Sequence, residues 1–183
     1  MISPIPIVVL AGPSGVGKTT IAERLIAEPP IPLRRAVTAT TRNPRPGERP
    51  EIDYHFWTRE RFRDEIAARR MLEWAEVHGS DLYGTPKSEV ESRPETTLLV
   101  IDVQGAAQVR AARLPHISIF LQPPSIEELE SRLRRRGEAR EKIERRLMTA
   151  RQEILRAGEF DYCVENREID DTVRILKDLI LTA

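Results

Sequence analysis

The sequence predicts an α/β fold in three layers, a parallel central sheet with helices on both faces. Three observations carry that expectation. Ile7 to Ala11 is an unbroken apolar run, the pattern of a strand buried on both sides. A glycine-rich turn follows at once, and Lys18 to Ala27 then sets Ile21, Ala22, Leu25 and Ile26 on one side of a helix. Strand, glycine turn and helix form the opening unit of a parallel sheet. Further buried-strand candidates recur at Thr97 to Ile101, Ile117 to Leu121 and Phe160 to Val164, with a shorter one at Ala36 to Ala39.

Helices fill the intervals. Ser125-Ile-Glu-Glu128 has capping-box spacing and is followed by Leu129 and Leu133. Ile143, Leu147, Ala150, Ile154 and Ala157 recur at helical period as far as Gly158. A last helix is expected from near Asp170, burying Ile169, Val173, Leu176 and Ile180. Residues 40 to 95 break this rhythm with prolines, aromatics and short β-like pieces at Tyr54 to Phe56 and Trp74 to Val77. They read as an excursion from the sheet, not a separate domain. Arg134 to Glu144 is a second excursion, nearly all charge.

The chain's 183 residues favour one domain with a sizeable core. Its 29 basic and 29 acidic residues cancel, so bulk charge makes no case for a nucleic-acid partner. A lone cysteine, Cys163, excludes an intrachain disulfide. His55, His78 and His116 lack metal-ligand spacing. The N-terminal segment has neither a basic n-region nor an apolar run of spanning length. A cytoplasmic protein with no membrane partner is expected.

Gly12-Pro13-Ser14-Gly15-Val16-Gly17-Lys18-Thr19 matches G-x-x-x-x-G-K-[ST], between a strand and a helix as that motif requires. Each position has a physical reason. The glycines let backbone N–H groups turn inward around a polyphosphate. The helix N-terminus adds partial positive charge, and Thr20 lies in its first turn. Lys18 neutralises the β and γ phosphates, and the Thr19 hydroxyl is suited to Mg²⁺. The expectation is an ATP-binding P-loop NTPase core. This loop alone names no reaction.

An ordered series of further motifs narrows the reading. TATTRNPRPG (38–47) leads to DYHF (53–56), LEWAEVHG (72–79), LYGTPKSEV (82–90) and LLVIDVQGAAQV (98–109). With the phosphate loop, this series resembles guanylate kinase from about Ile7 to about Asn166. The resemblance implies a nucleoside monophosphate kinase that uses ATP and Mg²⁺ to convert GMP, and dGMP with it, to the diphosphate. It implies that Arg42 and Arg45 grip the GMP phosphate, with Tyr54 and Tyr83 donating hydroxyls to it. It assigns Glu73 to guanine N1–H and the 2-amino group, Thr85 to the O6 edge and Thr38 to the base or its surroundings. Asp102 is placed between the base and the Mg²⁺ water shell, and Asn166 on the adenine side. RRRG…IERRL resembles the family's lid, with Arg136 and Arg146 favoured as phosphate-facing and Arg135, Arg145 and Arg151 as rivals. The implied division is a core of residues 1–36, 96–130 and 147–183, a GMP-binding region 37–95 and a lid 131–146, as monomer or homodimer.

The chemistry of these residue types agrees with that implication. Planar arginine donors with neutral hydroxyls suit a phosphate monoester. A carboxylate facing two N–H donors rejects adenine, which would leave it unpaired. Blander roles compete. Thr85 before Pro86 also has the form of a helix cap. Tyr54 is equally a core aromatic, and Glu73 beside Trp74 would ordinarily lie on a solvated face. The chain departs from the family pattern at Thr38, often serine, at Leu82, often tyrosine, and at Glu51, often glycine. HGSDLYG (78–84) is one residue longer than usual, the lid turn GEARE (137–141) is shorter, and the helix from Lys87 is clipped before Pro94. Two rival functions stand beside a GMP kinase. One is a non-catalytic guanylate-kinase-like binding module; the other is a P-loop kinase with another acceptor.

Overall fold

The computed structural model describes residues 6–77, 81–91, 94–137 and 139–183. In chain order the elements are β1 (Ile7–Ala11), α1 (Lys18–Ala27), β2 (Leu33–Arg35), β3 (Ala39–Thr40), β4 (His55–Phe56), α2 (Arg59–Ala67), β5 (Met71–Val77), β6 (Asp81–Pro86), β7 (Thr96–Val100), α3 (Val103–Ala111), β8 (His116–Gln122), α4 (Ile126–Arg135), α5 (Arg140–Ile154), β9 (Tyr162–Glu165) and α6 (Ile169–Thr182). Short 3₁₀ turns at Lys87–Glu89 and Ala157–Glu159 complete them.

β1 is central because its residues are apolar on both faces. It pairs in parallel with β7 and β8, and the full order β2-β7-β1-β8-β9 is parallel throughout. Alternation along β1 divides the core. Val8 and Leu10 join Ile21 and Leu25 of α1 and Leu176 and Ile180 of α6. Ile7, Val9 and Ala11 join Ala106 and Val109 of α3 on the other face. These are the three layers expected from the sequence, and they leave the C-terminal end of β1 opening directly into the glycine loop. In open parallel sheets that end is where ligands bind.

The excursion forms a second, four-stranded sheet in the order β4-β3-β6-β5. Here the sequence expectation needs correction. Ala36 to Ala39 is not one strand: β2 ends at Arg35 in the central sheet and β3 begins at Ala39 in the other. The segment between crosses from sheet to sheet. The helix α2 was not expected; Thr58 caps it by accepting from the Arg61 N–H at 3.1 Å, while Phe62 and Ile66 give it an apolar face. The stretch after Pro86 makes only a 3₁₀ turn, and no α-helix starts at Lys87. β9 begins two residues later than Phe160, which packs its ring on Phe120 instead. In α6, Ile169 is exposed and Thr172 is buried in its stead. Ser125 does cap α4, accepting from the Glu128 N–H at 3.1 Å.

The charged excursion is a helical hairpin with an apolar seam. Leu129 and Leu133 of α4 close on Ile143, Leu147 and Ala150 of α5. Its surface arginines largely pair with acids one turn away, Arg134 with Glu130 and Arg140 with Glu144. Truncating strand β8 at Ile119, which is fully buried, should cost about 2–5 kcal/mol as Ile119→Ala. Leu155→Ala, at a position 79% exposed, should stay within about 0.5 kcal/mol. Urea unfolding of the two variants checks the contrast.

Candidate active site

Gly17 shapes the phosphate loop. It caps α1 with a left-handed φ of 109°, and a side-chain carbon there would meet Asn166 Nδ2 at 2.6 Å. Asn166 is buried and committed on both ends. Its Nδ2 donates to Val16 O at 2.6 Å, and its Oδ1 accepts from the Thr172 hydroxyl at 2.9 Å. Arg132 adds bonds to Val16 O and Asn166 O. The Asn166 side chain therefore braces the loop from behind. Residue 166 still borders a cavity of about 430 Å³ between the loop, Arg135, Arg136 and Ile169.

Lys18 opens α1 with its Nζ folded onto the loop, donating to Gly12 O at 2.5 Å and Pro13 O at 3.1 Å. Burial pushes its pKa below the usual lysine value, while Glu153 and Asp102 push it up and Arg136 and Arg146 push it down. Thr19 and Thr20 follow it at the mouth of a cavity of about 240 Å³. That cavity is also lined by Ser14, Gly15, Gly17, Arg42, Arg45, Tyr54, Tyr83, Arg136 and Arg146. The glycine loop, the two arginines of the proline-rich segment, both tyrosines and Arg136 and Arg146 of the charged excursion thus share one space. Arg146 bridges two parts of it, donating to the Ser14 hydroxyl at 2.9 Å. Of the rivals, Arg135 turns to the larger cavity and to Glu128 at 3.4 Å, and Arg145 and Arg151 line neither.

Arg42 is held rigidly. Its two terminal nitrogens each donate to Glu48 at 2.6 Å, and its Nε donates to the Tyr83 hydroxyl at 3.0 Å. Its guanidinium also lies 4.9 Å from the Tyr54 ring centroid, a cation–π distance. Glu48 additionally accepts from the Arg45 N–H at 2.7 Å, so one carboxylate organises both arginines. The bonds from Arg42, together with the Arg45 N–H, hold the Glu48 pKa down to about 2. Sequence reasoning missed Glu48; an acid three residues past Arg45 in a proline-bounded loop was the available signal.

A second cluster is buried beyond the cavity. Glu73 on β5 is 4% exposed, and the Thr85 hydroxyl of β6 donates to its Oε1 at 2.6 Å. Thr85 is fully buried within a strand, so it caps no helix. Glu73 lies on no solvated face. That face belongs to its neighbour Trp74, at 39% exposure. Thr38 is nearly buried at the crossing between sheets and lines neither cavity described above; its carbonyl accepts from the His55 N–H. Asp102 caps α3, its Oδ1 accepting from Gln104 and Gly105. It also reaches a small cavity of about 90 Å³ that it shares with Lys18 and Glu153. Glu153 was not anticipated either, although it follows Arg146 at i+7 on the same helix face. Of the segment 78–84, residues 78–80 lie outside the described residues, and Leu82 is a buried member of the second sheet's core. Glu51 has a left-handed φ of 64°, which explains why glycine suits that place.

Among the described residues no group of three or more His, Cys, Asp or Glu could hold a metal, and no helix is long and apolar enough to cross a membrane. The oxygen chemistry at Thr19 still fits Mg²⁺, a hard cation that keeps several waters and shares phosphate oxygens instead of needing an all-protein cage.

A G-x-x-x-x-G-K-[ST] loop at the end of the central strand, facing a cluster of arginine and tyrosine side chains across one cavity, has the form of a P-loop phosphotransferase. The comparisons specify which kind. The chain belongs to the guanylate kinase family, whose model, described as guanylate kinase, matches residues 5–183. A guanylate kinase of Corynebacterium jeikeium is 47% identical over 182 residues, 95% of each chain. One of Prochlorococcus marinus is 42% identical over 178 residues, 95% of this chain and 96% of that one. The crystal structure of guanylate kinase from Anaplasma phagocytophilum superposes with a TM-score of 0.79 at 28% identity, covering 98% of this chain and 86% of that one.

Burial raises the carboxyls of both Glu73 and Glu153 from 4.5 to about 7. A group whose folded pKa is raised holds its proton more tightly when folded. Its stabilising contribution is complete below pH 4.5 and is lost as pH rises through 7. Unfolding free energy should therefore fall between pH 5 and 8, by at most about 1.4 kcal/mol per pH unit for each group. Urea titrations across that range should give a clear slope for the wild type and a flatter one for Glu73→Gln/Glu153→Gln.

Proposed function

We propose that this chain transfers the γ-phosphoryl group of ATP to GMP, yielding ADP and GDP. The observation that supports this reading most strongly is the single cavity of about 240 Å³ that the phosphate loop shares with Arg42, Arg45, Tyr54 and Tyr83. Phosphoryl transfer needs donor and acceptor phosphates in line within one water-poor space.

In this reading the loop Gly12 to Thr19, with Thr20, cradles the ATP phosphates, and Asn166 keeps that cradle in shape beside the nucleoside. The acceptor phosphate is gripped by Arg42, Arg45, Tyr54 and Tyr83. Its oxygen is already anionic near neutral pH, so no side chain has to remove a proton from it. Lys18 leaves the loop carbonyls for the polyphosphate, and Arg136 and Arg146 close on it from the hairpin. Together they offset charge on the transferring oxygens. Thr19 would hold Mg²⁺, with Asp102 near its water shell; the ion supplies charge neutralisation between the phosphates. The GMP-binding region spans 37–95 and the lid 131–146.

The acceptor base is read in the buried cluster. Glu73 accepts from guanine N1–H and the 2-amino group, Thr85 lies at the O6 edge and Thr38 near the base. Adenine offers no such donors and would leave a buried carboxylate unpaired, a mismatch that typically discriminates by about 10⁴ or more. Arg42 is pre-ordered by Glu48 and exchanges part of that pairing for the phosphate.

ADP release from ATP and Mg²⁺ should be fast with GMP or dGMP and negligible with AMP, CMP and UMP, with Lys18→Ala as the inactive blank. Turnover with another nucleotide in preference to GMP would point to a different acceptor. ATP binding without any turnover would point to a binding module. Glu73→Gln should erode guanine selectivity by about tenfold or more while leaving the KM for ATP within twofold. Glu48→Ala should raise the KM for GMP by about tenfold through loss of the ordered Arg42 and Arg45 pair, again sparing ATP; steady-state kinetics with each substrate varied separates the two.

A further inference from the structure

Gly105 occupies a helical position that has no backbone need of glycine. It lies in the first turn of α3, two residues after its start, and is absent from the left-handed glycines. Glycine is among the poorest helix formers, and alanine the best. The reason for glycine here lies in what a side chain would touch. A Cβ on residue 105 would come within 2.5 Å of Glu73 Oε2 and 3.1 Å of Glu73 Cδ. The next nearest atom, Ile101 Cβ, is 3.4 Å away, at the edge of ordinary contact. The methyl would therefore collide with one group alone, the Glu73 carboxyl.

The surrounding contacts tether that carboxyl against a sideways shift. On its other side the Thr85 hydroxyl is bonded to Oε1 at 2.6 Å. One helical turn after Gly105, Gln108 fastens α3 to β5, accepting from the Trp74 N–H at 3.1 Å and donating to Trp74 O at 2.6 Å. The helix and the strand are thus clamped at the residue next to Glu73. Gly105 also donates its N–H to Asp102 Oδ1 at 2.8 Å, which fixes the start of the helix.

We propose that Gly105 is a specificity-determining positioning residue: its missing side chain forms one wall of the slot that fixes the Glu73 carboxyl between α3 and β6, in the register that reads the acceptor's purine edge. This rests on the reading of Glu73 as the base-contacting residue. Gly105 touches no reacting atom and acts only through Glu73.

The test is a double-mutant cycle of Gly105→Ala with Glu73→Ala, read by thermal unfolding and by kinetics. With Glu73 present, Gly105→Ala should lower the melting temperature. It should also reduce kcat/KM for GMP about tenfold or more, narrow the preference for GMP over IMP, which lacks the 2-amino group, and leave the KM for ATP within twofold. In the Glu73→Ala background the same change should reverse sign in stability, raising the melting temperature by helix propensity, and should alter GMP kinetics less than twofold. A melting temperature lowered equally in both backgrounds, or unchanged when Glu73 is present, would overturn the inference. The thermal arm needs no turnover, so it stands even if GMP proves not to be the acceptor. Should Gly105→Ala alone be too unstable to purify, recovery of a folded protein on adding Glu73→Ala supports the proposal and failure to recover it counts against it.

Discussion

Five cations, Lys18, Arg42, Arg45, Arg136 and Arg146, converge on one cavity, and like charges in confined surroundings repel. Much of the rest of the structure answers that constraint. Lys18 leans on two loop carbonyls and on the fields of Glu153 and Asp102. Arg42 is locked to Glu48, which also fixes the backbone at Arg45. Arg146 reaches the Ser14 hydroxyl of the phosphate loop. Carboxyls, loop carbonyls and a hydroxyl of the protein thus hold this cationic cavity in shape. Such preorganisation lowers the cost of ordering side chains on binding.

The cavity exists because two sheets meet at a short crossing, and one buried acid stitches them there. Glu89 accepts from Arg34 of the central sheet at 2.9 Å and from the Val37 N–H in the crossing at 3.0 Å, and lies 3.8 Å from His55 of the second sheet. Burial works to raise the Glu89 pKa, but these partners outweigh it and the carboxyl ends below its usual value. Through this junction the arginine loop, carried by the second sheet, faces the phosphate loop of the first.

Some parts of this arrangement were legible in the chain because they depend on local rules. The strand–glycine–lysine–helix unit is contiguous, and each of its residues acts on the backbone beside it. Ser125 caps its helix from three residues away. Other parts were misread for equally physical reasons. Ala36 to Ala39 is apolar enough for a strand, but the chain changes sheet within it. For Thr85, where a cap competed with a role at the base edge, packing excludes the cap and turns the hydroxyl to a carboxylate twelve residues away in sequence. Helix α2 hid in a segment whose charge masked an apolar pair, Phe62 and Ile66.

The sequence by itself determined the three-layer core, the phosphate loop and, through the order of its motifs, the family, because these follow from periodicity and from residue types at fixed short spacing. Tertiary structure alone decided which side chains hold the site in place. Glu48 with Arg42, Glu153 beside Lys18, Asn166 behind Val16 and the gap at Gly105 against Glu73 each depend on how segments pack against one another. Van der Waals and hydrogen-bond distances set those contacts, and residue spacing alone does not name the partners.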